Sequence, residues 1–349
     1  MRSSYKAEDV TLLLKDITGM VKPQSTQERE KQIQAGIHYC EMLPVEYVPS
    51  ETYMQVYREA LAAYAKPTAL AVGRLSDKIM EARGKDVALV SLARAGIPIG
   101  ILIKHYIRKK YGVEVPHYSI SIIRGRGIDG NAMRYLLDRH RPGQLLFVDG
   151  WIGKGAILRE LEKAVEKYEG VSPEIAVAAD PANITRLCGT HQDILIPSSC
   201  LNSTVSGLIS RTFLREDIIG ADDFHGAAYY GELGESDLSY EFIKAIEECF
   251  EMENPPEEPA PMGYGIDEVK RLADAFGVTD LNLVKPGIGE TTRVLLRRVP
   301  WKILINEKEK DDPALAPVVR LALEKEVAVE YYPMKHYKCC GIIKKLADA

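Results

Sequence analysis

The sequence predicts an α/β protein: a parallel sheet wrapped by helices, a helical region ahead of it, and a smaller α/β sandwich at the C-terminal end. Three observations carry this. Apolar runs at 87–92 (interrupted only by Ser91), 145–148 and 175–179 end in turn residues and alternate with amphipathic stretches, as expected for strands covered on both faces. Residues 247–261 hold six glutamates, four prolines and no basic residue, the composition of an extended, self-repelling linker. Past the linker, strand and helix patterns resume on a shorter scale. The expected organisation is a helical N-terminal region packing on the core (1–80), a sheet domain with a hood (81–246), the linker (247–263) and a C-terminal domain (264–349).

At 349 residues the chain fits two or three domains. With 46% hydrophobic and 27% charged residues it has the balance of a soluble globular protein. No run is apolar for long enough to span a bilayer, and MRSSYKAEDV lacks a signal-peptide core. The six cysteines show neither metal-type nor disulfide-framework spacing, so a reducing cytoplasm is expected. Net charge is −5, unevenly spread: 264–349 holds 15 basic against 13 acidic residues, the remainder 30 against 37. That contrast permits nucleic-acid binding by the last part without arguing for it.

Taken in order, 9–17 has helical spacing at Val10, Leu13, Leu14 and Ile17, and helical composition resumes at a cap beginning with Thr26. Helices are predicted over 54–64 and 70–80, split by Pro67. The strand at 87–92 leads through Ala93, Arg94, Ala95 and Gly96 into a helix at 99–111. Small residues at such a turn let an anion approach the backbone, and Arg94 offers a planar donor fork. A strand at 117–123 ends in RGRGID, where Arg124 and Arg126 suit a cationic flap or a solvated turn.

The stretch QLLFVDGWIGKGAILRE joins a buried strand to Asp149, a Gly-rich turn and a helix at 156–165. The amides of such a turn, at the positive end of a helix, cradle an anion. Gly153, Lys154, Gly155 and Ala156 form that cradle, and Asp149 suits sugar hydroxyls. A sugar phosphate is the expected ligand.

The strand at 175–179 ends at Asp180, and 193–197 is a further strand candidate. Next, PSSCLNSTVSGLISRT crowds polar groups into a turn and helix start. Asn202, Thr204, Ser206 and Arg211 read either as a wall facing a nucleobase or as a capped helix. Cys200 with His225 reads as a thiol nucleophile with its base, or as an incidental pair. Beyond the linker, a helix is predicted at 266–276, a loop at 284–290, strands at 302–305 and 327–331, and helices at 313–324 and 341–346.

The loops at 93–96 and 149–156 resemble the diphosphate- and PRPP-binding loops of phosphoribosyltransferases, with Gly150 in place of a second acid and Gly153-Lys154 in place of a hydroxyl pair. KPGIGETTRVLL resembles the RNA-contacting stretch of Pelota-type domains, with Lys285, Glu290, Thr292 and Arg293 matching and Gly289 replacing an asparagine. Through DVTLLLKDI, REKQIQAGIHYCEMLP, YSISIIRGRGID, PSSCLNSTVSGLISRT and DDFHGA, the whole chain is similar to the StiP family of tellurite-resistance and stress-response neighbourhoods.

The resemblance implies a phosphoribosyltransferase-like fold and a transfer of phosphoribose from PRPP to a nucleobase-like acceptor. Asp149, Arg94, Arg124 and Arg126 would do the chemistry. Mg²⁺ would be carried mainly by PRPP, with no protein ligands assigned. It also implies structured RNA as a partner of the C-terminal domain, and a homodimer is the assembly considered. Two other functions stay open: an RNA-binding protein whose sheet domain only senses a nucleotide, and a cysteine protease using Cys200, a label the family sometimes carries.

Overall fold

The computed structural model describes residues 1–344. Six parallel strands form the central sheet in the order Thr11–Leu12, His117–Ile120, Ala88–Leu92, Leu145–Trp151, Ile175–Ala179, Cys188–Thr190. Every residue of Ala88–Leu92 and Ile175–Ala179 is buried, as their apolar runs predict, and the one polar member, Ser91, bonds the Gly96 carbonyl and His117. From Ala88–Leu92 the chain steps outward to His117–Ile120, then returns to the opposite side at Leu145–Trp151. Strand order reverses there, which leaves a crevice at the C-terminal ends of two neighbouring strands. Both Gly-containing turns, 93–96 and 152–155, open on that crevice.

One helix, Glu51–Arg83, replaces the two expected. Pro67 removes a single backbone bond, while Tyr57 and Leu61 before it and Ala69, Val72, Leu75 and Ile79 after it are buried in one core. That burial outweighs the roughly 3 kcal/mol of an interior proline. Ser50 caps its start by accepting from the Tyr53 amide, and Gly84 at φ 66° ends it.

Five other expectations change. The loop expected at 284–290 is a strand, Val284–Pro286, passing through Gly287 into helix Ile288–Arg297. Residues 9–17 are not helical: Thr11–Leu12 adds an edge to the sheet and Lys15–Asp16 pairs with Gly226–Ala227. Val10, Leu13, Leu14 and Ile17 are all buried nonetheless, because a kinked extended chain between two layers hides both its faces. Residues 193–197 form no strand; the edge is Cys188–Thr190. The 197–212 stretch forms two short 3₁₀ turns, Pro197–Cys200 and Ser203–Val205, instead of a helix start. The closing segment is a strand, Cys339–Ile343, and Leu346 lies outside the described residues.

The C-terminal sheet runs Val284–Pro286, Cys339–Ile343, Pro300–Asn306, Ala328–Tyr332. It is antiparallel except for its last pair. The acidic stretch before it lies along the long helix, where Arg74 donates to the Pro255 and Pro256 carbonyls and Lys78 holds Glu257 at 2.9 Å.

Asp193 fastens the two sheets together. Its carboxylate accepts from the Ile288 amide (3.0 Å) at the start of helix Ile288–Arg297 and from the Lys338 amide (2.8 Å). An acid at that position satisfies an orphan helix donor and meets the positive end of the dipole. Nearby, Tyr337 donates to the Gly153 carbonyl (2.7 Å) and Arg298 pairs with Glu30 at 2.6 and 2.9 Å.

The long helix crosses the edge strand closely: a Cβ on Gly189 would lie 2.1 Å from the Ala71 carbonyl. Backbone cannot give way as a side-chain tip would, so Gly189→Ala is expected to cost about 1–3 kcal/mol in urea unfolding. Unchanged stability would show that the helix is free to shift.

Candidate functional site

The crevice is a cleft of about 520 Å³ that continues into a pocket of about 260 Å³ beside Ala93, Arg94 and Ala95. The sheet domain contributes Tyr39, Arg124, Asp149, Trp151, Gly153, Lys154, Gly155, Ala156 and Arg211. Across from them stand Lys285, Glu290, Arg293, Arg297 and Arg298 of the C-terminal domain. The cleft is therefore a junction between domains, with cations in large excess.

Burial and mutual repulsion act on those cations. Burial, with Lys285 adding, pushes the Lys154 ammonium down to about 7. Burial pushes Lys285 down to about 8 against the pull of Glu290, and Arg211 down to about 9 with Arg29 adding. Arg297 is held well below the arginine range by burial and by Arg94 and Arg293. Burial raises Asp149 to about 6 while Arg293 and the Gly150 amide (2.7 Å) pull the other way. Burial works against Glu290 ionising too, but Arg293, Lys285 and Lys154 hold its carboxylate below the usual value. Two rings line the same walls: Trp151 with the Arg293 guanidinium at 4.3 Å, and Tyr39 with Arg211 at 4.5 Å.

The residues predicted from sequence divide into those the fold brings to the cleft and those it spends elsewhere. Arg94 borders the deeper pocket, but its guanidinium is held by the Ile209 carbonyl and by Glu46 at 3.2 Å. A Cβ on Gly96 would meet the Val148 carbonyl at 2.3 Å, so this turn is packed against the next strand. The anion cradle at 153–156 is largely occupied. Lys154 donates to the Leu281 and Val284 carbonyls, and the space beside Gly153 belongs to Glu290 and Pro286. Arg124 reaches the cleft and donates to Asn282 (3.2 Å), whereas Arg126 turns to Glu41 (2.9 Å).

Asp180 is buried away from the cleft, accepting from the Ile184 and Thr185 amides. Asn202 and Thr204 line a separate pocket, and Ser206 donates back to the Asn202 carbonyl. Arg211 alone of that segment's predicted wall reaches the cleft. In the C-terminal domain Thr292 is buried and bonds the Ile288 carbonyl within its own helix. Gly289 lies under Trp151, whose ring a Cβ would touch at 2.2 Å. This accounts for the missing asparagine: the indole fills the place of its side chain. Trp151, Tyr39, Arg297 and Arg298 were missed; the Arg297-Arg298 pair at the end of a helix pattern was the available signal.

Three thiol settings matter for chemistry. Cys200 is fully buried, burial raises its thiol to about 12, and its neighbours are Ser199 and Tyr53. His225 bonds Ser121 (2.9 Å) and takes its backbone order from Asp129, so the Cys200–His225 pair does not exist. Cys40 Sγ lies 3.0 Å from His38 Nδ1, and His38 Nε2 lies 3.0 Å from the Arg124 carbonyl. Because Nδ1 also accepts from the Cys40 amide (3.3 Å), Nε2 carries the proton and Nδ1 faces the thiol as a base. Cys188 Sγ is 3.4 Å from His191 Nε2, whose Nδ1 is 2.6 Å from Glu257. Among the described residues Cys188, His191 and Glu257 are also the group close enough together to hold a metal ion.

Residues 3–247 match the family model described as "Tellurite-like stress resistance cysteine protease StiP". This chain belongs to the StiP family. Residues 264–345 match the PELOTA RNA binding domain. A curated relative, "Cysteine protease StiP" of Acinetobacter baylyi (strain ATCC 33305 / BD413 / ADP1), is 33% identical over 98% of this chain and 94% of its own length. These findings overturn the expected PRPP transferase, because the StiP family and this relative are both described as cysteine proteases. The geometry gives the physical reason: the anion turn is filled by the neighbouring domain and Arg94 is already bound. No helix among the described residues of this StiP chain is long and apolar enough to cross a membrane.

Asp149 supplies a pH test. Its folded value of about 6 stands above 3.8, so the native state keeps the proton longer than the unfolded chain. The stability this gives is complete below pH 3.8 and lost as pH rises through about 6. Asp149→Asn is therefore expected to gain on wild type in melting temperature between pH 4 and pH 7. A constant difference across that range would refute the shift.

Proposed function

We propose that this chain is a cysteine-dependent peptide hydrolase in which Cys40 is the nucleophile and His38 its base. One observation carries the reading: a thiol 3.0 Å from an unprotonated imidazole nitrogen whose partner nitrogen is fixed on a carbonyl. Burial raises the Cys40 thiol to about 11 and lowers His38, so both are neutral at rest. As a substrate carbonyl enters, Nδ1 takes the thiol proton and Sγ attacks the carbonyl carbon. The imidazolium then returns that proton to the leaving amine as the C–N bond breaks, and water releases the acyl group from sulfur. Arg126 and Arg211 favour the thiolate that forms.

Two features favour Cys40 over the other thiols. Tyr39, between base and nucleophile in sequence, lines the cleft, and His38 bonds the carbonyl of Arg124, another cleft residue, so the pair lies one layer behind the cleft wall with Cys40 fully buried. The pair also falls inside the residues matched by the family model, whereas Glu257 of the Cys188 group lies outside them.

Cys40→Ser and His38→Gln should each lower hydrolysis of a fluorescent casein by about 10³-fold or more, while Cys200→Ser leaves it unchanged. Iodoacetamide should modify Cys40 in a His38-dependent manner and leave Cys200 intact. Hydrolysis that survives Cys40→Ser and disappears in Cys188→Ser transfers the nucleophile and overturns the assignment.

A second reading concerns RNA. The PELOTA match covers Lys285, Glu290 and Arg293, and the cleft they border is crowded with cations that depress one another. We propose that structured RNA lays its phosphates across this cleft. Lys154 and Lys285 gain protons as pH falls through about 7 and 8, so affinity should rise from pH 9 to pH 6. In filter binding, Arg293→Ala should reduce the slope of log K against log salt by about 0.7–0.9. Binding insensitive to both salt and pH would remove RNA from the cleft.

A further inference from the structure

We propose that the pocket lined by Arg29 is a site for a phosphate group, separate from the cleft and from the thiol pair. The pocket holds about 190 Å³ and lies between helix Thr26–Gln34, the start of helix Glu51–Arg83 and the 3₁₀ turns after Pro197. Arg29 lines it while being only 2% exposed. Its Nε and Nη2 are buried without a hydrogen-bond partner, and among the described residues it forms no ion pair. A buried guanidinium left in that condition is among the most costly arrangements a fold can contain.

The acids whose charge reaches Arg29 are engaged elsewhere. Glu46 holds Arg94 at 3.2 Å, and Glu30 holds Arg298 at 2.6 Å. Arg298 itself repels Arg29, adding to the burial that drives the guanidinium downward. Meanwhile the rest of the lining offers donors: Arg297, whose Nε already donates to Asn202 Oδ1, the Asn202 NH2 group, and the Thr26, Ser50 and Thr204 hydroxyls. Two acids share the wall, Glu46 and Glu324, and the latter is held by Arg320 at 3.1 Å. A planar fork plus hydroxyl and amide donors is the set that recognises a tetrahedral oxyanion.

The volume suits a phosphate with part of its carrier and excludes a folded nucleic acid. The phosphate comes either as the free ion or as the end of a nucleotide chain. Arg297 borders both this pocket and the cleft, so a chain end has a route inward. The proposal depends on neither functional reading above, since a phosphate site can exist without hydrolysis or without RNA across the cleft.

The test is thermal unfolding of the full chain with inorganic phosphate, a 5′-phosphorylated oligoribonucleotide, and the same oligonucleotide with a 5′-hydroxyl. Phosphate should raise the melting temperature of wild type. Arg29→Met should melt higher than wild type without ligand, because an uncompensated charge is gone, and should lose the phosphate-induced rise. Asn202→Asp, which places a carboxylate on the lining, should weaken phosphate binding at least tenfold. A larger rise with the 5′-phosphate than with either other probe identifies a chain end as the source; a rise with inorganic phosphate alone identifies the free ion. An equal phosphate effect in Arg29→Met, or an Arg29→Met protein that melts lower and a wild type that ignores all three probes, overturns the proposal.

Discussion

The placement of everything functional depends on Asp193. Its carboxylate receives the first free amide of helix Ile288–Arg297 and the Lys338 amide, and so sets a helix of one domain against the sheet edge of the other. Burial raises it to about 6 while those two amides draw it back, which describes an acid committed to backbone donors. Lys154 makes the reciprocal contact, an ammonium given to carbonyls of the C-terminal domain. With both in place, Lys285, Glu290 and the arginines of that helix face the parallel sheet, and the cleft exists. The shared core that includes Ile196, Ile288, Leu295 and Leu321 holds the halves together, and these two polar contacts set their register.

Closure of that junction creates the electrostatic character of the molecule. Each half has modest charge, yet their facing surfaces bring Arg124, Arg211, Lys154, Lys285, Arg293 and Arg297 into one partly desolvated space. Glu290, Asp149 and Asp280 are too few to balance them, and Asp149 gives up part of its acidity in the same environment. Repulsion between buried cations destabilises the free protein and is relieved by any polyanion. The unpaired Arg29 belongs to the same pattern, one layer deeper.

The thiols show how little residue type says about reactivity without its surroundings. Cys200 sits in the segment richest in polar residues, yet it packs into the core beneath the Tyr53 hydroxyl, which donates to its carbonyl at 2.8 Å. Cys40 is also buried but meets a base whose tautomer is fixed by two backbone groups. What separates the two is a histidine two residues away in sequence, a local relation present in IHYCEM.

Much of the architecture was legible from pattern alone. The strands expected at 87–92, 145–148 and 175–179, the helix at 156–165 and the change of character at the acidic linker follow from apolar period, glycine placement and charge, all local properties, although the middle strand runs on to Trp151 where a turn was expected. Family membership was legible too, because long strings such as REKQIQAGIHYCEMLP are specific. Tertiary structure alone decided what those elements are used for. The Gly153 turn looked like an open anion cradle because sequence cannot show that Glu290 and Pro286 will occupy it from the other domain. Pro67 looked like a helix break because sequence does not weigh one lost backbone bond against a face buried on a sheet. Short-range preference belongs to the chain at each position, whereas occupancy, burial and pairing depend on partners more than a hundred residues away.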